Sequence, residues 1–296
     1  IRNIQDANPR DMQGLTPLHH AADQNHFEVC QLLLRYVIDK NPKDDAQYTP
    51  LHFVAVKGHH KIFKLISKEV KDINPRDDNA TTPLHLAAKN GHFKICKRIL
   101  KRISDNEPKD NLGYTPLHYA AGNGHLEICQ LIYEYVKDKN PSGNNGITPL
   151  HKAANNGHLP VVCLISENTD DLNPKNSEGT TPFHAAVYKH HLQVCLKFLE
   201  IAKEICPKDI NGQTPYHAAA ANGFVEICKK IIESVKCKDK NPKDIFGRTP
   251  LHLAAENGRV GVFRLILRIV EEKNPKDNFG KIPIDYADGH KNILRI

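Results

Sequence analysis

Histidine is the residue of this chain that first suggests chemistry, because imidazole binds metal ions and carries protons near neutral pH. The 296 residues include 18 histidines, and most of them recur in two registers that advance by 33 residues at nearly every step. The first register holds His19, His52, His85, His118, His151, His184, His217 and His252. The second holds His26, His59, His92, His125, His158 and His191. The histidines therefore mark a repeated module and not a single site.

Equivalent histidines of stacked modules are too far apart to share a metal ion. Packed helices lie about 8–10 Å apart, whereas zinc binds an imidazole nitrogen at about 2.0–2.1 Å. A neutral imidazole can donate one hydrogen bond and accept another. We therefore interpret both registers as hydrogen-bonding spacers, and we expect no metal ion and no cofactor.

Cysteine follows the same period and predicts a buried, unpaired thiol in most modules. One register holds Cys30, Cys96, Cys129, Cys195 and Cys228, and its other members are Phe63, Val162 and Phe263. Exchange with large apolar residues is typical of a core position. Neighbouring copies are expected to lie beyond the ~7 Å Cα separation that a disulfide tolerates. These features predict an intracellular, reducing, cytoplasmic setting, for the chain itself or for the cytosolic part of a larger protein.

Three cysteines fall outside that register, namely Cys163, Cys206 and Cys237. The seventh module carries two extra residues around positions 233–240, which are expected to bulge from the loop after its second helix. Cys237 lies in that insertion. We predict that it is the most exposed thiol of the chain.

The recurring acidic residues do not form a catalytic set. They occupy equivalent turn positions, where an aspartate commonly accepts hydrogen bonds from its own backbone. They are Asp11, Asp44, Asp77, Asp110, Asp209, Asp244 and Asp277. The motifs of phosphate-binding loops, serine hydrolases and zinc proteases are also missing from the sequence. We predict that the chain is not an enzyme, and the alternative left open is an enzyme subunit whose catalytic segments lie outside this sequence.

A Thr-Pro dipeptide defines the elements that position these side chains. It starts complete modules at residues 16, 49, 82, 115, 148, 181, 214 and 249, and Ile282-Pro283 is a degenerate copy. We predict eight repeats over 16–281, the tail of a preceding repeat over 1–15 and a shortened repeat over 282–296. Because no linker interrupts the register, we expect one domain over 1–296. No apolar run approaches the ~20 residues of a membrane span.

The fourth module shows what each repeat encodes. Thr115 can cap a helix, and Pro116 suits its first position because it needs no N–H partner there. Gly124 ends that helix, and a second amphipathic stretch runs from about Leu126 to Val136. A turn-rich segment over 142–147 then has the composition of a tight hairpin. The module is therefore predicted to be helix, turn, helix and hairpin-like loop.

The Thr-Pro-Leu-His-x-Ala string of these modules resembles the signature of the ankyrin repeat. The resemblance covers nearly the whole chain. It implies an all-α repeat fold, a solenoid of stacked antiparallel helix pairs with short β-hairpin-like loops that binds macromolecules on its concave face. It also implies that the first histidine register ties each module to the next through the threonine hydroxyl and the backbone.

Two departures from the ankyrin pattern lead to further expectations. The glycine that ends the first helix is replaced by Asn25 and His190, which are among the residues that tolerate a positive φ. Those two turns are expected to form. The glycine that commonly follows the second helix is missing from the repeats, so longer second helices are predicted.

The resemblance also places variable residues on the concave face. They follow each histidine of the first register, lie three residues further on, or precede each threonine. The predicted partner-binding residues are Tyr48, Phe53, Val56, Leu86, Tyr114, Tyr119, Tyr188 and Arg248. Tyrosine and arginine are enriched in binding hot spots. We predict a noncatalytic scaffold that binds another protein or peptide, and the alternative is that these side chains only pack within the chain.

Positive charge is concentrated in the second and third repeats. Residues 57–102 contain twelve basic and four acidic residues, a net charge of +8 against +7 for the whole chain. The basic residues of two helix stripes are Lys61, Lys64, Lys68, Lys94, Lys97, Arg98, Lys101 and Arg102. The alternative function is ligand sensing or electrostatic docking of an anionic small molecule, a lipid or a nucleic acid. The simpler interpretation is a solvated outer face. Aromatic residues do not interleave the basic ones, which argues against sequence-specific nucleic-acid binding.

Overall fold

The computed structural model describes residues 8–290 and 292–294, and the chain divides into two compact units, Ile1–Asn144 and Asn145–Ile296. The first unit contains α1 (Pro17–Asp23), α2 (Phe27–Tyr36), α3 (Pro50–Lys57), α4 (His60–Glu69), α5 (Pro83–Lys89), α6 (Phe93–Leu100), α7 (Pro116–Gly122) and α8 (Leu126–Tyr133). The second contains α9 (Pro149–Asn155), α10 (Leu159–Ser166), α11 (Pro182–Tyr188), α12 (Leu192–Ile201), α13 (Pro215–Asn222), α14 (Val225–Glu233), α15 (Pro250–Glu256), α16 (Val260–Ile269) and a 3-10 helix (Pro283–Tyr286).

Both units are stacks of helix pairs. In the first unit the first helices of the modules, α1, α3, α5 and α7, pack side by side, and the second helices, α2, α4, α6 and α8, do the same. In the second unit α9, α11, α13 and α15 form one row and α10, α12, α14 and α16 the other. Each first helix also packs on the second helix of its own module. The predicted all-α stacked fold is confirmed, and the loops between modules contain no strand in the part of the chain that is described.

Every first helix begins at the proline that the sequence predicted. In the fourth repeat Thr115 has extended backbone angles (φ −95°, ψ 166°) and precedes Pro116, the first residue of α7. The amide of Thr115 donates to Nδ1 of His118 at 3.0 Å. A histidine three residues into the helix therefore completes the reciprocal cap that glutamate or glutamine usually provides.

The turns between the paired helices require a left-handed residue, as predicted. Asn25 and His190 adopt φ of 60° and 57° in place of glycine. Gly58 has φ of 78°, and a Cβ atom there would lie 2.5 Å from the ring of His92 in the next module. Glycine at this position is therefore favoured by its φ and by the close approach of the neighbouring imidazole.

The prediction of longer second helices is wrong. The residues that replace the glycine commonly found after the second helix lie beyond that helix in each repeat. Val37, for example, follows α2 with extended backbone angles (φ −77°, ψ 141°). Val37 and Val136 are 2% and 7% exposed. The chain leaves the helix because this apolar side chain is buried beneath the loop, and burial outweighs one further helical hydrogen bond.

A lysine of the following loop caps several of these helix ends. Lys139 donates to the carbonyl of Val136 at 2.7 Å and also to that of Tyr133. Lys240 donates to the carbonyl of Ser234 at 2.6 Å, and Lys40 to that of Leu34. A cation at a helix C-terminus satisfies free carbonyls and interacts favourably with the helix dipole. Lysine therefore replaces the missing glycine cap in these modules.

The predicted core cysteines are confirmed. Cys30, Cys96, Cys129, Cys195 and Cys228 are each unpaired and 0% exposed. Phe63 and Val162, which share their register, are also 0% exposed. The register is therefore a core position of the second helices, where cysteine acts as a small apolar side chain.

The prediction of an exposed Cys237 is wrong. Cys237 is 1% exposed and forms a disulfide with Cys206, with the Cα atoms 6.0 Å apart. The extra residues do form a loop after α14, but they carry Val235 outward, 92% exposed, and turn Cys237 inward. The bond weighs against the predicted reducing environment, which stays a prediction.

Removing this disulfide is expected to destabilise the second unit. The bond closes a segment whose ends are 31 residues apart, and constraint of the unfolded chain by a loop of that length is worth about 3–4 kcal/mol. Urea unfolding of Cys237→Ala, followed by circular dichroism, should show that loss. Cys163→Ala is the control, because Cys163 is unpaired and only half-buried. If thiol titration of the unreduced, urea-unfolded chain gives eight thiols instead of six, the disulfide is absent.

Candidate functional site

Within each unit, a histidine clamp ties the start of a module's first helix to the residue that precedes the next module. In the third repeat Nδ1 of His85 accepts the backbone N–H of Thr82 at 3.1 Å, with the threonine hydroxyl at 2.9 Å. Nε2 of His85 lies 3.0 Å from the carbonyl of Tyr114, the residue that immediately precedes the next module. Because a backbone N–H can only donate, Nδ1 is unprotonated and Nε2 carries the proton.

The clamp recurs with the same geometry in both units, as the resemblance implied. The other pairs of Nε2 and carbonyl are His19 with Tyr48, His52 with Thr81, His151 with Thr180, His184 with Gln213, His217 with Arg248 and His252 with Lys281. In the final module Asp285 replaces the histidine and accepts the backbone N–H of Ile282 at 2.9 Å.

Burial keeps these imidazoles neutral. It lowers the pKa to about 4 for His52, His85, His151, His184 and His217, against the partly compensating bond to the carbonyl. Both ring nitrogens are engaged, so the first register has neither a free lone pair for a metal nor a proton to exchange at neutral pH.

The second histidine register bonds backward along the stack. His92 Nε2 donates to the carbonyl of Val56 at 2.9 Å, and His191 Nε2 to that of Asn155 at 2.9 Å. Where Phe224 replaces this histidine, its ring stacks on His190 with centroids 3.8 Å apart. The prediction of hydrogen-bonding spacers is confirmed in this register for His59, His92, His125 and His191. In the described residues no cluster of three or more histidine, cysteine, aspartate or glutamate side chains is arranged to hold a metal ion.

The loop before each Thr-Pro dipeptide and before Ile282-Pro283 is here called a finger, and the recurring aspartate holds the turn of each finger that contains it. Oδ1 of Asp110 accepts the backbone N–H groups of Leu112 and Tyr114 at 2.9 and 2.8 Å. The recurring aspartates are therefore backbone acceptors, as predicted. Consecutive fingers of one unit are joined by a backbone hydrogen bond, such as that from Asn111 to Asn79 at 3.0 Å.

Fingers and first helices together form a surface, here called the inner surface, where the predicted aromatic residues lie. In the first unit Phe53 packs edge-on against Tyr48, with ring centroids 5.8 Å apart. Tyr119 packs against Tyr114 at 6.4 Å, and its hydroxyl donates to Oδ2 of Asp110 at 2.6 Å. Burial and this carboxylate raise the pKa of Tyr119. The hydroxyl fixes the ring against its own finger.

The hydroxyl bond of Tyr119 was not anticipated from the sequence. The sequence feature that could have predicted this bond is a polar residue nine positions after the finger aspartate. His20 meets Asp11 in this way at 2.9 Å, and the hydroxyl of Tyr286 donates to Asp277. That bond raises the pKa of Tyr286 to about 12.

The predicted partner-binding residues differ in how much surface they offer. Leu86 and Tyr114 are only 9% and 7% exposed, because they pack within the chain. Tyr48, Phe53, Val56 and Tyr119 are half-buried, and each keeps part of its side chain accessible. The accessible part of the inner surface in the first unit therefore comes from this half-buried set.

In the second unit the inner surface contains a cleft of about 350 Å³ between α9, α11 and a finger. Tyr188 is 43% exposed at its wall. Lys152, Asn155 and Lys189 come from the helices, and Glu178 from the finger. The cleft thus combines an aromatic face with charges of both signs.

Arg248 is already paired within the second unit. Its guanidinium lies 3.1 Å from the Asp244 carboxylate and 3.5 Å from that of Glu256. The carboxylate of Asp244 is fully covered. The charge of Arg248 is therefore partly compensated by the chain itself, which reduces what it can offer to a partner.

The predicted basic residues lie on and just after α4 and α6 in the first unit. Lys61, Lys64, Lys68, Lys94, Lys97, Lys101 and Arg102 are exposed and Arg98 is half-buried. Two of them are structural, because Arg98 donates to Oγ of Ser67 at 2.8 Å and Arg102 to its carbonyl. Among the described residues no carboxylate pairs with any of the eight.

The stacked helix pairs, the histidine clamps and the finger turns define a helical repeat protein of one class throughout the described chain. A family model described as ankyrin repeats (3 copies) matches residues 1–77, 51–142, 136–209, 194–277 and 217–296. The chain belongs to the ankyrin-repeat family. A search of curated protein sequences gave no match. Ankyrin repeats are generally protein–protein interaction modules and typically noncatalytic, and they are the only family found along this chain.

Acidification from pH 7 to pH 5 is expected to lower the free energy of unfolding. Unfolded histidine titrates near 6.5, whereas five clamp histidines have a folded pKa of about 4. The unfolded chain therefore binds more protons between these values. The contribution of the clamp histidines to the free energy of unfolding is fully present above about pH 6.5 and is lost as the pH falls toward 4. At pH 5 the loss is about 2 kcal/mol per clamp histidine.

Urea unfolding at a series of pH values, followed by circular dichroism, measures this effect. The range from pH 6.5 to 5 lies above the ordinary carboxyl pKa of about 4, so a slope there reports mainly on histidine. His85→Gln should flatten the profile by the share of one histidine. A profile with no slope between pH 6.5 and 5 would show that the clamp imidazoles are not buried in the neutral form.

Proposed function

We propose that this chain is a noncatalytic scaffold whose inner surface binds a protein or an extended peptide. The observation that carries the proposal is that partly exposed aromatic side chains are held rigidly along fingers and first helices. Tyr119 is fixed by the Asp110 carboxylate, and Phe53 by the ring of Tyr48. Side chains fixed before binding lose little conformational entropy when a partner covers them.

The two units offer different chemistry to a partner. In the first unit the accessible groups are the half-buried Phe53, Val56 and Tyr119, so apolar contacts favour a hydrophobic segment of the partner. In the second unit the cleft beside Tyr188 contains Lys152 and Glu178, which suits a polar peptide. The binding energy is expected to concentrate on the tyrosines, because aromatic residues dominate hot spots.

The test is a pull-down with the purified chain, followed by affinity measurement with each purified protein that it captures. Tyr119→Ala should weaken binding by about tenfold or more, and the loss should persist at high salt because the contact is apolar. Tyr119→Phe should retain most of the affinity, since it keeps the ring and loses only the bond to Asp110.

Tyr36→Ala is the matched control, because Tyr36 is 48% exposed on α2 and belongs to the other row of helices. Partners that respond equally to Tyr36→Ala and Tyr119→Ala would contradict a role for the inner surface. The role of the inner surface would also be contradicted if no captured protein lost affinity on substitution of Tyr48, Phe53, Tyr119 or Tyr188.

The second candidate function is electrostatic docking of an anionic ligand on α4 and α6. It is favoured by the exposed lysines that have no carboxylate partner in the described chain. Anionic vesicles serve as the probe. Binding that disappears at high salt and in Lys94→Glu would support this function. Vesicle binding that is unchanged by Lys94→Glu would exclude it.

The location of the protein is a separate question. In the described part of the chain, the helices are too short and too polar to traverse a bilayer. A cytoplasmic location stays a prediction.

A further inference from the structure

The tips of the last three fingers carry a row of exposed apolar side chains. Ile210 is 64% exposed, Ile245 54%, Phe246 43% and Phe279 72%. They occupy the two central positions of turns that begin at Asp209, Asp244 and Asp277. One exposed apolar residue needs no explanation, but a contiguous row marks an interaction surface. We call this row, residues 210, 245, 246 and 279, the tip row.

The tip row is rigid. The backbone N–H of Ile245 donates to the carbonyl of Asn211 at 3.0 Å, and that of Asn278 to the carbonyl of Phe246 at 2.9 Å. The Asn278 side chain adds a bond to the carbonyl of Ile245 at 3.0 Å. At Gly247, where φ is 76°, an added Cβ would lie 2.5 Å from Oδ1 of Asn278. The turns are therefore locked together, and binding would order little that is not ordered already.

The turn aspartates of the last two fingers are buried, whereas Asp209 of the finger before them is half-buried. Asp244 and Asp277 are only 6% and 7% exposed. Oδ1 of each accepts two backbone N–H groups of its own turn. The remaining oxygens bind the Arg248 guanidinium and the Tyr286 hydroxyl. Both oxygens of each of these carboxylates are already bound within the chain, so neither carboxylate is available to a partner protein.

Positive charge in the same fingers points outward. Lys208, Lys243 and Lys276 are exposed. The amino group of Lys208 donates one hydrogen bond to the carbonyl of Lys243 at 3.0 Å, and that of Lys243 donates one to the carbonyl of Lys276 at 3.1 Å. Lys281 is exposed on the last finger. The Arg248 guanidinium lies 5.2 Å from the centre of the Phe246 ring. The tip row is therefore flanked by cations.

The fingers of the first unit lack such a row. Met12 and Leu112 are exposed at central turn positions of its first and fourth fingers. The two fingers between them hold Asp45 with Ala46 and Asp78 with Asn79, so no two consecutive fingers there carry an exposed apolar tip. A basic residue also precedes each turn aspartate of the first unit, as Arg10, Lys43, Arg76 and Lys109. The last three fingers are therefore distinguished by an apolar tip on every consecutive turn.

We propose that the tip row is a second docking surface, separate from the inner surface, for an extended acidic segment of a partner protein. Carboxylates of that segment meet the flanking lysines, and its apolar side chains lie against Ile210, Phe246 and Phe279. Stacked helices lie about 8–10 Å apart. An extended chain in the polyproline II conformation rises about 3.1 Å per residue and has three residues per turn, so every third side chain lies on the same face. One finger therefore corresponds to about three residues of the partner, so its apolar residues recur at every third position.

The probe is a synthetic peptide of about twelve residues with leucine at every third position and aspartate or glutamate between. It is titrated against the intact chain, and a peptide with lysine in place of the acids is the comparison. The acidic peptide should bind, and added salt should weaken it. Phe246→Ser combined with Phe279→Ser should reduce its affinity about tenfold or more.

Leu112→Ser is the matched control, because Leu112 is 60% exposed at the same turn position in the first unit. It should leave the affinity unchanged, as should Tyr119→Ala and Tyr188→Ala, which test the inner surface. Circular dichroism establishes that the double variant folds, and Ile210→Ser replaces it if it does not.

Three results would overturn the proposal. They are failure of the acidic peptide to bind, equal binding of the lysine peptide, and affinity that does not respond to substitution of the tip row. Sedimentation that shows a dimer abolished by the double substitution would also overturn it, because the occupant would then be a second copy of this chain.

Discussion

The hydrogen bond from a buried, neutral imidazole to the backbone carbonyl just before the next module is the interaction on which the rest of this structure depends. His85 shows its logic: Thr82 fixes one ring nitrogen as an acceptor, which leaves the other as the donor to Tyr114. A single side chain therefore caps its own helix and sets the position of the neighbouring module. Both ring nitrogens are occupied by these hydrogen bonds. The repeated geometry therefore explains why histidine is abundant and also why these histidines do not bind metal ions or transfer protons.

The positions that the module fixes were predictable from the sequence, because each is determined by contacts that recur in every repeat. The proline at the start of each first helix, the core cysteines and the recurring finger aspartates follow from local rules of capping, burial and turn formation. The left-handed turns at Asn25 and His190 could be predicted for the same reason.

What the sequence did not reveal depends on contacts between segments that share no pattern. Several second helices are capped by lysines such as Lys139, which reach back from the following loop. The ring of Tyr119 is oriented by Asp110 nine residues earlier. The pairing of Cys206 with Cys237 required knowing that an insertion in one module turns toward the loop of another. Similarly, Leu86 and Tyr114 resemble their exposed counterparts in sequence, and only the neighbouring side chains decide that they are covered.

The bond between Cys206 and Cys237 has a consequence for how the second unit comes apart. A stack in which each module touches only its neighbours can unravel one layer at a time, since every layer contributes its own small stability. A covalent tie between two adjacent layers makes them leave the stack together or not at all. Unfolding that proceeds layer by layer through the second unit therefore reaches two layers here that must unfold together. The free-energy cost of that step is the sum for both layers.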